Sequence, residues 1–238
     1  MKTSWMLPVL AAGLAGLSGT WAQDSTNGTS ESPDETLLRE AATRKAIISA
    51  PLSVDLEDVP LQRVLEMLAV RVGAGLALDG HITSEALRQP LTLKLEDCSV
   101  YAVLHWVFRK RDLAWAIDGS EIVVAPVKFI DPAAGNRHLE FIERTDRQWQ
   151  QETRPRLDAA RMTLDVSAVP LVRVIDVVAR HAELNVVWED GAEAFKSRRV
   201  SFKASSTTVA GTLDKLTAEA GLSWFLEAEA VLISASSR

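Results

Sequence analysis

The chain has 238 residues, 47% of them hydrophobic and 24% charged, so it can bury a core and is not disordered by composition. Its length fits one large domain or two small ones, since domains run about 100 to 150 residues. A formal net charge of −6 gives it no electrostatic reason to bind nucleic acid or an anionic bilayer.

At the N-terminus, Lys2 precedes an apolar run from Met6 to Leu17, followed by Thr20-Trp21-Ala22. This order of charge, apolar stretch and small residues is that of a secretory signal, so residues 1–22 are expected to be removed. The run is shorter than the roughly 20 residues a spanning helix needs, and no later segment is longer. No integral membrane segment is therefore expected after cleavage. Cleavage leaves Cys98 as the single cysteine, so no internal disulfide can form even in a compartment that permits one. Residues 23–50 read as a polar tether, QDSTNGTSESPDE, running into a short helix over Glu35 to Ser49.

Beyond this point the chain repeats itself. VDLEDVPLQRVL at 54–65 meets LDVSAVPLVRVI at 164–175, so Pro60 meets Pro170 and Arg63 meets Arg173. The match runs without a gap to Leu78 against Trp188. After one residue is dropped, Leu91 pairs with Val200, Leu93 with Phe202, Val100 with Val209, Leu104 with Leu213 and Trp115 with Trp224. It ends with Ile122-Val123-Val124 on Val231-Leu232-Ile233, and two copies of one unit account for most of the chain.

Each copy opens on a short strand and then a proline, which suits the first turn of a helix because its missing N–H costs nothing there. Leu61, Val64, Leu65, Leu68 and Val72 repeat at helical spacing, as do Leu171, Val174, Ile175 and Val178, so one face of each helix is committed to a core. Leu76-Ala77-Leu78 and Val186-Val187-Trp188 read as strands. Leu91 to Leu95 and Val200 to Ala204 alternate with period two. Ser99 and Thr208 stand where a helix N-cap is needed, and each copy closes on a hairpin. The expected order is β-α-β-β-α-β-β. The fold class is α+β, with domains at 51–127 and 161–238 joined by a linker with a polar helix at 128–160. That helix is expected to pack through Leu139, Phe141, Ile142 and Trp149.

The matching stretches VDLEDVPLQRVLEMLA, PLTLKLEDCSVYAVLHWVFRKRDLAW and EIVVAPV, with a weaker second set, resemble the short domain at the N-terminus of secretins and of TonB-dependent signal-transducing receptors. The resemblance covers residues 51–127 and 161–236 and rests on the hydrophobic framework. It implies a non-catalytic docking module in the periplasm, exported and associated with the outer membrane through a partner. That partner would be a secretion component, an outer-membrane receptor or an anti-sigma regulator. The 238 residues carry no secretin ring pattern and no succession of barrel strands, so the resemblance is to the docking module and not to a pore.

Residues able to do chemistry are sparse. Asp55 and Asp165 could be paired carboxylates for acid–base work, but they occupy corresponding places in separate copies and read better as strand-flanking surface groups. His81, His105, His138 and His181 never fall at metal-ligand spacing, so no metal and no cofactor are expected. Cys98 precedes a helix start, where a thiolate is stabilised, yet no histidine is near it in sequence and a packing role is favoured. Tyr101 and Trp106 are not mirrored in the second copy, where Gly211 and Lys215 stand nearby, and Arg109-Lys110-Arg111 ends the same helix. This asymmetry makes Tyr101, Trp106 and Arg109 the candidate partner-binding residues, with a core role for Trp106 equally open. An open sheet edge is the preferred binding mode. The other readings are a ligand or enzyme site in a groove between the copies, and assembly of the chain into homo-oligomeric rings.

Overall fold

The computed structural model describes residues 33–130 and 132–236. The expected signal segment and the tether through Ser32 lie outside the described residues. Pro33–Arg238 form one compact α+β unit.

Helix α1 (Pro33–Ser49) leads into β1 (Pro51–Pro60), α2 (Leu61–Val72), β2 (Gly75–Leu78), the short α3 (Ser84–Arg88) and β3 (Pro90–Ser99). Helix α4 (Val100–Phe108) and the hairpin β4 (Leu113–Asp118) and β5 (Glu121–Pro126) complete the first series. The long α5 (Pro132–Ala159) opens the second: β6 (Arg161–Pro170), α6 (Leu171–His181), β7 (Asn185–Trp188), α7 (Asp190–Glu193), β8 (Arg199–Thr208), α8 (Val209–Ala220), β9 (Leu222–Glu227) and β10 (Ala230–Ala235). The order differs from the expected one by the short helices α3 and α7.

Each series builds two small sheets. β1 pairs antiparallel with β3, and β2 lies parallel to β5, which is antiparallel to β4; β6–β8 and β7–β10–β9 reproduce this order. The duplication extends to irregularities. Bulges fall between Leu52/Val54 and Leu56/Val59 in one ribbon and between Met162/Leu164 and Val166/Val169 in the other. Asp58 and Ala168, and Asp97 and Ser206, take positive φ at these matching places.

The helical stripes behave as their spacing requires: Leu61, Val64, Leu65 and Leu68, and Leu171, Val174, Ile175 and Val178, are all buried. Pro60 and Pro170 end their strands one residue before the helix instead of occupying its first turn. Ser99 Oγ accepts from Ala102 N at 3.2 Å and Thr208 Oγ1 from Gly211 N at 3.0 Å, so both expected N-caps are formed.

Within residues 128–160 lies helix α5, Pro132–Ala159. Helix α5 is continuous, and its second half is the counterpart of α1: Thr43 and Thr153 are both buried, as are Ile47 and Leu157, at corresponding distances before β1 and β6. Its first half belongs to the first repeat. Phe141 joins that core beside Tyr101, and the buried His138 packs edge-on against Trp115 at 4.1 Å. Ile142 and Trp149 are half-buried, whereas Leu139 faces solvent. Period two along β10 completes the union. Val231 and Ile233 enter the second core while Ala230 and Leu232, on the other face, enter the first.

Candidate functional site at the junction of the repeats

The junction is built around α4, in which every residue except His105 is buried. One side of the helix faces its own core, and the β9–β10 hairpin covers another. Positive φ at Ala228 and Glu229 turns this hairpin tightly, so its tip reaches the first repeat. The Glu229 carboxylate accepts from Ser99 N at 2.7 Å and from the Ser99 hydroxyl at 2.5 Å. It thereby places negative charge at the positive end of α4. Trp106 Nε1 donates to Ala228 O at 3.0 Å.

At the other end of α4, Arg109 binds two carboxylates. Its Nε donates to Glu227 Oε1 and one terminal nitrogen to Glu189 Oε1, each at 2.8 Å, while its guanidinium lies over the Trp106 ring. His105 Nε2 is 2.8 Å from Glu227 Oε1. Burial pushes the Glu227 carboxyl up, but the hydrogen bonds from His105 and Arg109 outweigh it and leave the group below its ordinary value. Burial likewise weakens the hold of Arg109 on its proton, and the bonds to Glu227 and Glu189 more than restore it. Asn185 docks on the outer edge of β3, accepting from Glu96 N at 2.7 Å and donating to Glu96 O at 2.9 Å. Asp146 of α5 accepts from Ala228 N at 2.7 Å, with its carboxyl raised above the usual range by burial.

Tyr101, Trp106 and Arg109 lie along one helix and its C-cap, but Tyr101 packs into the first core beside Phe141, and the second repeat of the same chain covers Trp106 and Arg109. Tyr101 is 1% exposed and Trp106 8%, so neither is free to anchor an outside protein. The asymmetry between the copies has a physical reason: α4 receives the other repeat through its Trp106 and Arg109 face. The acidic side of the junction, Glu189, Glu227 and Glu229, was missed. Of the three only Glu229 carried a signal of the same kind, Ser120 standing in its place in the first hairpin, because Glu227 and Glu189 correspond to the acidic Asp118 and Asp79.

Other candidate groups are accounted for locally. Asp55 pairs with Lys94 and Asp165 with Lys203, both at 2.8 Å across equivalent strands, which fits the surface reading of these aspartates. Burial pushes the Cys98 thiol up to about 12, and its Sγ donates to Leu52 O at 3.3 Å, so the sulfur is not an activated nucleophile. His81 stacks on Phe129 and bonds to Asp79; His181 Nε2 lies 3.1 Å from Arg161 O. Among the described residues no group of three or more His, Cys, Asp or Glu could hold a metal ion, and no helix is long and apolar enough to cross a membrane.

Beside the Arg109 cluster a cleft of about 320 Å³ opens between the repeats. Pro90–Leu93 of β3 form one wall, the end of α4 with Lys110 and Arg111 another, and Val187, Trp188 and Leu232 are contributed by the second sheet. Comparison with protein-family models and with curated proteins finds no match to this chain.

Proposed function

We propose that the chain is a non-catalytic interaction module of the bacterial cell envelope, an adaptor or scaffold built from two secretin/TonB-type short domains and exported to the periplasm. One observation carries the reading: the repeats are locked together by Arg109, Glu227 and Glu229, yet the β3 edge between Pro90 and Leu93 stays open on a cleft. An open edge offers main-chain groups to an extended partner segment. The quiet chemistry of Cys98 and the local pairing of Asp55 and Asp165 support the same conclusion. The partner is a secretion component, an outer-membrane receptor or an anti-sigma regulator.

The test is recovery of a specific envelope protein by the immobilised chain from detergent-solubilised envelopes, across several salt concentrations. Recovery of nothing specific would count against the module. A small-ligand or enzymatic reading has the same cleft in its favour, since 320 Å³ lies at the lower end of the range for ligand pockets. A thermal-shift screen with sugars, metals and cofactors addresses it, and a flat response removes it.

A further inference from the structure

The amphipathicity of helix α1 is inverted. The side it turns to the protein is largely polar: Glu40 and Thr43 are buried beside Ile47, with Glu40 bonded to Arg44 and the Thr43 hydroxyl 3.1 Å from Gly119 O. The side it turns to solvent is apolar. Leu37 is 57% exposed, Leu38 71% and Ile48 43%, and the exposed Ala41 and Ala42 lie among them. With 3.6 residues to a turn, these five positions, Asp34 and Lys45 fall within one stripe roughly 140° wide, opposite Glu40, Thr43 and Ile47.

The second half of α5, the counterpart of α1, shows what this place on the repeat carries when it faces water. At the positions of Leu37, Leu38, Ala41, Ala42 and Ile48 stand Arg147, Gln148, Gln151, Glu152 and Asp158, all of them exposed. The apolar stripe is thus peculiar to α1 and not part of the common design. Contiguous exposed apolar surface of this kind marks an interaction face.

The order of residues along the stripe says what covers it. Asp34 and Lys45 stand near its two ends, about three helical turns apart, and neither is ion-paired among the described residues. Suppose α1 is laid antiparallel on α1 of a second copy so that Asp34 of each meets Lys45 of the other. In that register Leu37 falls opposite Ala42 and Leu38 opposite Ala41. Both charges are matched twice over, and each leucine faces a small side chain that lets the helices approach, the large-against-small arrangement by which helix surfaces interdigitate. A parallel pairing sets Asp34 against Asp34 and Lys45 against Lys45 and is disfavoured. Ile48 extends the apolar contact beyond the charged pairs.

We propose that α1 is a homodimer interface, pairing antiparallel with α1 of a second copy of this chain through Leu37, Leu38, Ala41 and Ala42 and fixed in register by Asp34 and Lys45. Such an isologous contact closes at two copies and does not propagate into a ring. The dimer goes beyond the interaction-module reading and does not depend on it.

The test is sedimentation equilibrium of the purified chain across a wide concentration range, where a monomer–dimer equilibrium is expected. Leu38→Glu raises the dimer dissociation constant about tenfold or more and leaves the urea midpoint unmoved, because this side chain is largely exposed in the single chain. Val70→Glu, at an exposed position on α2, leaves the dissociation constant unchanged and serves as the control. Asp34→Lys and Lys45→Asp each weaken the dimer several-fold by setting like charges opposite one another, and the two together restore it. Loss of favourable charges at the helix ends would instead accumulate in the double variant, so restoration reports the pairing itself. A chain that stays monomeric throughout, a dimer that Leu38→Glu leaves intact, or a double charge exchange that fails to restore association overturns the proposal. If the chain is monomeric and Leu38→Glu abolishes recovery of an envelope protein by the immobilised chain, the face belongs to a foreign partner: the homodimer falls and the interaction module stands.

Discussion

At the scale of single residues, the duplication supplies its own controls. Gly73 follows α2 with φ +67, the left-handed conformation that ends a helix and suits glycine, and its counterpart after α6, Glu183, adopts φ +57 with a side chain. The Glu183 side chain is exposed and makes only a 3.6 Å pair with an exposed Arg156, which contributes little. Glu183→Gly is therefore expected to stabilise the protein by roughly 0.5–1 kcal/mol, read from the urea midpoint. His138 predicts a pH effect. Burial first, and the nearby Arg44 charge second, push its pKa down to about 4 from 6.5, so the folded state keeps it neutral where the unfolded chain protonates it. Its contribution is intact above pH 6.5, is lost progressively as pH falls toward 4, and amounts to on the order of 3 kcal/mol at most. His138→Phe should flatten the stability profile between pH 6.5 and 5 relative to the parent; an unchanged slope in urea titrations at those pH values would contradict this assignment.

At the scale of elements, what the chain declares locally it also forms. The α2 and α6 stripes, the Ser99 and Thr208 caps and the closing hairpins all rest on spacing and side chains within a few residues of one another. The kinship of α1 with the end of α5 was hidden because few buried positions carry it, Thr43 with Thr153 and Ile47 with Leu157, amid polar sequence. The junction was legible only as asymmetry: Tyr101, Trp106 and Arg109 stood out, but which surface met them depends on pairings far apart in sequence, such as Ser99 with Glu229. Helix α5 also holds a local contradiction, Pro155 in its interior, where the corresponding residue of α1 is Lys45. Interior proline costs a helix about 3 kcal/mol, of which up to about 1 kcal/mol is returned by stiffening the unfolded chain. Pro155→Ala should then raise stability by about 2 kcal/mol in the same denaturation experiment. No gain would mean that the helix has relaxed around the ring.

At the scale of the whole molecule, the two repeats are not independent domains on a string. Leu232 and Ala230 of the second repeat sit in the first core, Phe141 ties α5 to the same cluster, and the Arg109 cluster closes the seam. A seam of this kind transmits unfolding from one repeat to the other, so denaturation followed by tryptophan fluorescence and by far-ultraviolet circular dichroism should give one coincident transition. The charged cluster can be weighed within that transition. Removing either half-buried partner leaves the other with a single remaining contact, Glu189 for Arg109 or His105 for Glu227, so Arg109→Met and Glu227→Gln should each cost about 1–3 kcal/mol. Together they should cost less than their sum by about 0.5 kcal/mol or more, because the bond between them is lost only once. Lys110→Ala, whose partner Asp190 is open to solvent, should leave the midpoint unmoved and serves as the control. If the Arg109 and Glu227 changes are additive, or if fluorescence and circular dichroism separate into two transitions in the parent, the repeats are merely adjacent. The cleft between them would then lack the fixed walls that recognition of an extended segment requires.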